Sequence, residues 1–544
     1  MKQLRDSKVD VLITGAGPTG LMMACQLAIH GISFRIIDKK RSPSNNSGAL
    51  ILQARSLEIL ESIGLAGEAL KEGIIADKVN ILFNGKIIVS TSIKEIGGSL
   101  SQFPFLLMLE QSKTEKLLTR FLEAHGHTIE RETQFLSLIQ DSGNTISIVA
   151  GIDGAEHSIT SKYLVAADGG NSTIRGLLNI PFSGITYPKP IFIMDCKAKT
   201  DFIPGEINFV FSDSTVTGFF PLKNSRWRID GSLPEEMERM QTVKSEEVEK
   251  NLPRWTNVNF SPESNEWFSV SHSHQKYSGS IQLGNCFLAG DAAHVNTPVG
   301  AQGMNTGLQD AFNLAWKLAL VLNHNANPEL LKTYSDERSG ITKGFARYAD
   351  IVFKLVTSTN RIVKILRKYV LKFFFVVLFP FIEKQKLFRH YFFRSISQLD
   401  IHYPESILSL AEIEGSFLLR APGKGESLPY VVFSLKGEIT NTHKILNQLF
   451  FNLIVLDHAL PDSIRKLADQ FKLNVILIPK LPETKDVYHK LGISMSGFLL
   501  IRPDMHIALH SVSMESQSLH NYLNLYLIAI PKVDGLTESN SELS

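Results

Sequence analysis

Residues 9–20 read VDVLITGAGPTG, and this stretch decides the fold. The run from Val9 to Thr14 is short, mostly apolar and β-branched, the pattern of a buried strand. It leads into Gly15-Ala-Gly17-Pro18-Thr19-Gly20 and then a stretch in which Leu21, Ala24, Cys25 and Ala28 share one helical face, with Gly31 as its stop. A second strand, 33–37, ends at Asp38. Strand, glycine turn, helix and strand make a complete dinucleotide-binding unit. Gly15 permits the tight turn, Gly17 lets the backbone approach a pyrophosphate, and Gly20 lets helix and sheet pack closely. The phosphates would meet the free N–H groups at the start of the helix that Pro18 and Thr19 open. Asp38 follows Gly20 by 18 residues, at the distance where a carboxylate reaches ribose hydroxyls, and Lys39 stands beside it.

The rest of the composition narrows the class. The chain has 544 residues, and 56 − 54 gives a net charge of +2, which excludes a basic nucleic-acid coat and an acidic disordered chain. Three scattered cysteines, Cys25, Cys196 and Cys286, exclude a disulfide scaffold and fit a reducing compartment. No cleavable apolar leader precedes the first strand, and no run reaches the roughly 18–20 uncharged residues of a membrane span, so a cytoplasmic location is expected. Cys, His and acidic residues do not cluster at metal-ligand spacing, so no metal is expected.

The fingerprint alone leaves FAD and NAD open, and two later segments decide between them. A short apolar strand ending at Ala167 is followed by DGGNSTIR (168–175), and another, from Cys286 to Ala289, by GDAAHVNTPVGAQGMNTG (290–307). With these three motifs in this order, the chain resembles the single-component FAD-dependent aromatic hydroxylases of the para-hydroxybenzoate hydroxylase fold group. By length it is similar to the phenol, hydroxyphenylpropionate and polyketide hydroxylases that carry an extra C-terminal domain. The resemblance implies FAD as cofactor, NAD(P)H and O2 as co-substrates, and hydroxylation of a phenolic or polycyclic ring through a flavin hydroperoxide. It also implies an α/β fold. A Rossmann-like FAD-binding domain would fill 1–180 and 281–400, with an interleaved β-rich substrate domain at 181–280 and near 75–110. A thioredoxin-like domain would follow at 410–525, with a tail at 526–544.

The resemblance also implies site residues. Asp291 would accept from flavin ribityl hydroxyls; Gly300, Gly303, Met304 and Asn305 would line the flavin's pyrimidine edge, where a helix start favours negative charge. Pro298 would lie by the reactive side of the ring, and Asp168 near the flavin or the nicotinamide route, supported by Ser172 and Arg175. Gln111 matches a glutamine that contacts FAD, and Arg55 a position near its phosphates. One departure is visible. Gly48-Ala49 stands where many relatives have Arg-Ala, so Lys39, Lys40 or Arg41 substitutes for that arginine, or Arg55 suffices. No second GxGxxG follows a strand, so NAD(P)H is expected to dock without a nucleotide-binding domain of its own.

The 181–282 region reads as mostly β, with apolar runs at 191–196, 207–211, 217–221 and 227–231. Arg226 and Arg228 share one face of a strand, solvent or pocket. Catalysis on such a flavin needs no protein nucleophile; Arg228, Tyr277, His294 and Pro298 are the candidates to assist, and the substrate-activating base is unassigned. From Lys354 to Arg394 the chain carries ten Lys or Arg and one acid, with Arg361, Lys364, Lys368 and Lys372 on one helical face. That pattern suits a helix packed on the FAD domain with a solvated basic face, or peripheral contact with an anionic membrane. The C-terminal domain has no cysteine, which excludes dithiol chemistry and leaves packing or subunit contact, as in a homodimer. The expected partners are a small aromatic substrate and O2, with no nucleic acid. Competing readings are the same chemistry on a non-phenolic target, such as epoxidation or inactivation of a tetracycline-like antibiotic, and a flavin or ligand binder without turnover.

Overall fold

The structure, a computed structural model, describes residues 7–43, 48–141, 143–212, 215–238, 240, 242–297, 300–340, 369–370, 373–411 and 421–529. The chain divides into two compact units: Met1–Ala315 with Tyr334–Ile401, and Trp316–Thr333 with His402–Ser544.

The first unit is built on a parallel sheet. Ser7–Thr14 lies between Phe34–Ile37 and Glu156–Ala166, and Glu156–Ala166 in turn pairs with Cys286–Leu288, all in parallel. Val11, Leu12 and Ile13 are wholly buried, as expected for a strand covered on both faces, and this is why the run is continuously apolar rather than alternating. Ile37, Thr14, Ala166 and Leu288 are cross-strand neighbours at the carboxyl ends of these four strands. The turns that follow them therefore leave from one edge, the edge where open α/β sheets bind ligands. An antiparallel meander, Gln134–Asp141 and Asn144–Ala150, extends Glu156–Ala166.

A second, eight-stranded sheet interleaves two stretches of sequence. Its order is His294–Val295, Phe260–Ser278, Phe182–Thr200, Arg226–Ser232, Val216–Leu222, Glu206–Phe211, Lys78–Phe83, Lys86–Ser92. Each apolar run expected between 191 and 231 falls inside one of these strands. Two strands are 19 residues long, Phe182–Thr200 and Phe260–Ser278, and their pairing slips at Thr186/Pro190, Asp195/Cys196 and Lys197/Ala198. Bulges break the two-residue alternation, which is why the 260–278 strand shows no clean run in the sequence. One face of this sheet buries Phe192, Met194, Phe219, Trp227 and Ile229 with Leu252 and Trp255 of the Ser245–Thr256 helix. Against the other face, Phe220 and Leu222 cluster with Leu50 and with Ala76 and Met108 of a small sheet formed by Ile51–Leu52, Leu106–Met108 and Ile74–Ala76.

The second unit has a five-stranded mixed sheet, ordered Leu410–Ala411, Ile507–Ser511, Gly497–Ile501, Asn452–Leu456, Asn474–Ile478. Helices Asp462–Gln470, Lys485–Leu491 and Ser516–Tyr526 accompany it. The Arg-Pro-Asp turn is an internal brace. Arg502 is wholly buried, bonds Asp504 through Nε (2.9 Å) and Nη2 (2.6 Å), and lies 5.3 Å from the ring centroids of both Trp316 and Tyr403.

Lys354, Arg361, Lys364, Lys368 and Lys372 of the basic run, and residues 530–544 of the tail, lie outside the described residues. Among the described residues no helix is long and apolar enough to cross a membrane.

Candidate active site

The three motifs meet at the carboxyl edge of the parallel sheet. Gly15 has φ +93°, and a Cβ there would stand 2.3 Å from the Ala167 carbonyl oxygen; one on Gly20 would stand 1.9 Å from that of Gly15. These two glycines serve close backbone approach. Gly17, Gly169 and Gly303 differ: a Cβ on any of them meets no protein atom within 4 Å. Asp38 accepts from the Ala16 N–H at 2.7 Å and the Lys40 N–H at 2.8 Å, and Arg131 Nη1 is 3.6 Å away. The acid thus braces the glycine turn from the end of the neighbouring strand, while Lys39 is exposed.

Thr19 ties the first motif to the third. A Cβ on Gly290 would lie 2.4 Å from Thr19 Oγ1, and one on Gly307 2.2 Å from it. Arg175 ties the second motif to the third, donating from Nη1 to the Ala292 carbonyl (2.9 Å) and from Nη2 to that of Gly170 (2.7 Å). Ser172 caps the Thr173–Leu177 helix, accepting from the Arg175 N–H at 3.0 Å. Asp168 Oδ2 accepts from the Thr173 N–H at 2.8 Å, while Oδ1 is buried with no hydrogen-bond partner among the described residues.

Behind the third motif is a buried ionic cluster. Asp310, 1% exposed, accepts at Oδ2 from the Gly290 N–H (2.9 Å) and bonds His294 Nε2 (2.7 Å); its Oδ1 accepts from Arg338 Nε (2.7 Å). Burial acts to raise its pKa, but the charges of His294 and Arg338 and these hydrogen bonds prevail and bring it to about 2. His294 Nδ1 is buried without a partner among the described residues, and Tyr277 is the cross-strand neighbour of His294. Asp291 is exposed; desolvation by the surrounding protein raises its pKa, opposed by His294 and reinforced by Asp310.

Asn305 works as a clamp. Its Oδ1 accepts from the Gln53 N–H (3.0 Å), and its Nδ2 donates to the carbonyls of Ile51 (2.8 Å) and Ala301 (2.7 Å). Gln53 Nε2 returns a bond to the Gly300 carbonyl at 2.9 Å. Met304 is buried beside it. Gln111 brackets the Gly48-Ala49 turn, accepting from the Ala49 N–H at 3.2 Å while its own N–H donates to the Ala49 carbonyl. Arg55 is 2% exposed and paired with buried Glu58 at 3.1 Å. Pro298 lies outside the described residues.

The sheet face opposite the apolar core carries the remaining candidates. Cross-strand pairing sets Trp267, Asp195, Arg228 and Phe220 in one row and Ser269, Ile193, Asp230, Gly218 and Phe209 in the next. Arg228 is 1% exposed. It grips Asp195 through Nε–Oδ1 and Nη2–Oδ2, both 2.7 Å, lies 5.2 Å from the Trp267 ring centroid, and extends Nη1 to 3.5 Å from the Gly48 carbonyl oxygen. Arg226 pairs with Glu110 and Glu266. At Arg228 the face that the sequence left open between solvent and pocket is closed to solvent, and it reaches the Gly48 turn.

These residues fit FAD. Backbone bared at Gly17, Gly169 and Gly303 and the orphaned Asp168 Oδ1 all occur where a dinucleotide would lie, and Asp38 and Asp291 can meet its hydroxyls. Residues 8–349 match the family model described as FAD binding domain. An uncharacterised aromatic-compound monooxygenase of Bacillus subtilis, YhjG, is 30% identical over 449 residues, 79% of this chain and 86% of that one. The 6-methylpretetramide 4-monooxygenase of Streptomyces rimosus is 30% identical over 411 residues, 75% of this chain and 72% of that one. Among solved structures, the OxyS anhydrotetracycline hydroxylase of Streptomyces rimosus superposes with a TM-score of 0.75 at 26% identity, over 95% of this chain and 99% of that one. Fold, site and relatives define a flavoprotein monooxygenase. The chain belongs to the FAD-binding-domain family of such enzymes, and its cofactor is FAD.

Sequence reasoning missed the wedge role of Thr19, the Asp310 cluster, the Gln53–Asn305 clamp and Asp230. The first three depend on partners at least 16 residues away, as in the His294–Asp310 bond. The one available signal was the alternation Arg226-Trp-Arg-Ile-Asp230, which puts Asp230 on the face of the two arginines.

Proposed function

We propose that the protein hydroxylates a phenolic or polycyclic aromatic compound, with NAD(P)H as electron donor and O2 as oxygen donor. The observation that carries this reading is the lined sheet face, where Trp267, Phe220 and Phe209 flank the charged trio Asp195, Arg228 and Asp230 beside the Gly48 turn. Apolar rings bury an aromatic substrate, and a few convergent polar groups fix its orientation. Bound FAD supplies oxygen activation. The protein's part is to hold the ring and to keep water out, which suppresses loss of reducing equivalents as peroxide. The polycyclic substrates named for the two Streptomyces relatives support the same class. The test follows NAD(P)H oxidation in air by FAD-loaded protein, with and without simple and polycyclic phenols, while trapping peroxide. Substrate-stimulated oxidation with little peroxide is expected. A flat response from a yellow protein would sink the phenolic reading in favour of a non-phenolic target or a binder.

We further infer that the 369–391 segment rests on an anionic lipid surface. Tyr369, Phe373, Phe381, Leu387 and Tyr391 are 56–83% exposed there, inside a tract, 354–394, with ten basic residues and one acid. Exposed aromatics and excess positive charge suit a lipid interface. Flotation with phosphatidylserine vesicles is expected to carry the protein at low salt and release it at high salt; no flotation at low salt overturns this reading. Homodimer formation belongs to the same proposal and is read by light scattering of the unbound protein.

A further inference from the structure

Two carboxylates flank Arg228 on the lined sheet face, and only one of them is used. Asp195, across the strand pair, accepts two hydrogen bonds from the guanidinium, at Nε and Nη2. Asp230, two residues along the same strand, has Oδ1 buried and without a hydrogen-bond partner among the described residues. Its cross-strand neighbours are Ile193 on one side and Gly218 on the other, with Phe209 beyond Gly218. Gly218 has no side chain to offer; the Phe220 ring leans over it, 2.7 Å from where a Cβ would be, and meets Phe209 edge to face at 5.7 Å between centroids. Asp230 is part-buried, and a carboxylate oxygen buried without a partner is costly in a folded chain. A ligand hydroxyl would remove that cost.

We propose that Asp230 recognises a hydroxyl of the aromatic substrate and takes its proton during oxygenation. This rests on the phenolic reading above and adds the base that reading lacks. In the resting complex the substrate O–H donates to the carboxylate, which fixes how the ring lies. As a ring carbon bonds to one oxygen derived from O2, the bond joining that oxygen to the second one breaks and leaves its electron pair on the second oxygen. In the same step the substrate O–H bond breaks, its proton passes to Asp230, and its electron pair enters the ring. The hydrogen on the oxygenated carbon then leaves as a proton that ends on the second oxygen, the ring regains aromaticity, and the substrate oxygen recovers its proton from Asp230. The two electrons of NAD(P)H take the second oxygen atom to water.

The surroundings suit a base working near neutrality. Burial raises the Asp230 pKa to about 7, with Arg228 opposing and Asp195 reinforcing the rise. Those two are the charged groups that face it: Arg228 on its own strand and Asp195 on the next.

The experiment compares FAD-loaded wild type with Asp230→Asn, Asp230→Ala and Asp230→Glu. It measures binding of 1-naphthol against 1-methoxynaphthalene, and of 1,8-dihydroxyanthraquinone against its dimethyl ether, then the pH dependence of kcat/KM for whichever phenol is turned over. Wild type is expected to prefer phenol over ether by about tenfold, and Asn and Ala to lose that preference. In Asn and Ala, kcat/KM is expected to fall about 100-fold and to lose the limb that declines below pH 7, while Glu restores part of both. A wild type that binds phenol and ether alike overturns the proposal without any variant. A wild type that discriminates, with Asp230→Asn discriminating equally and keeping its pH limb, leaves the phenolic reading standing and removes Asp230 from it. A wild type that turns over no phenol removes both.

Discussion

Arg228 and Asp195 face each other on adjacent antiparallel strands and share two hydrogen bonds of 2.7 Å. With the arginine 1% and the aspartate 7% exposed, neither charge has water to replace a lost partner. Asp195→Ala alone is therefore expected to cost about 3 kcal/mol, because it leaves a buried guanidinium unpaired, whereas Asp195→Leu with Arg228→Met should recover most of the loss. Urea unfolding midpoints of the three proteins check this; a single variant as stable as wild type would contradict it.

The glycines of the first motif separate into two kinds. Gly17→Ala meets no protein atom, so it should leave the thermal midpoint of the FAD-free protein unchanged while weakening FAD binding by about tenfold, ~1.4 kcal/mol. Gly20→Ala places a methyl 1.9 Å from the Gly15 carbonyl oxygen and should lower the midpoint of the FAD-free protein itself. Differential scanning fluorimetry with and without FAD distinguishes the two.

Gly307→Ala would drive a methyl to 2.2 Å from Thr19 Oγ1. Overpacking of this kind costs about 1–3 kcal/mol. Removing the hydroxyl leaves Thr19 Cβ as the nearest Thr19 atom, at 3.5 Å, an ordinary contact. The double variant Thr19→Ala/Gly307→Ala should regain thermal stability and flavin content lost by Gly307→Ala, and no recovery would show that the wedge is misidentified.

The Asp310 cluster predicts an acid-sensitive stability. Its folded pKa, about 2, is below its ordinary value of 3.8, so its contribution is fully present above that ordinary value and is lost as pH falls from there toward 2. The size is about 2 kcal/mol. Asp310→Asn should lose that amount at neutral pH and show a shallower decline of the urea midpoint between pH 4 and pH 3 than wild type.

Much of the flavin-binding half was legible because its signals are local. Gly15, Gly17 and Gly20 sit within one turn, and 168–175 and 290–307 each follow a short strand directly. The C-terminal strands were legible for the same reason: the run expected at 474–478 is the Asn474–Ile478 strand, and those expected at 497–502 and 506–510 are Gly497–Ile501 and Ile507–Ser511. The substrate sheet was less so. Its long outer strand, Phe260–Ser278, is half polar and slips register against Phe182–Thr200, which erases the alternation that marks a strand. Arg55 illustrates another limit: the resemblance that places it near the FAD phosphates does not reveal that Glu58, one helical turn along, pairs with it inside the protein.

The carboxyl ends of Phe34–Ile37, Ser7–Thr14, Glu156–Ala166 and Cys286–Leu288 lie side by side, yet about half the chain separates the first motif from the third. A chain emerging from the ribosome carries its phosphate-binding turn long before the Gly290–Gly307 segment that completes the cradle exists. The cofactor can be gripped only after the interleaved substrate sheet has been synthesised. Loading is thereby a late event in biogenesis, and chains interrupted before Cys286 would expose an unpaired edge of Glu156–Ala166.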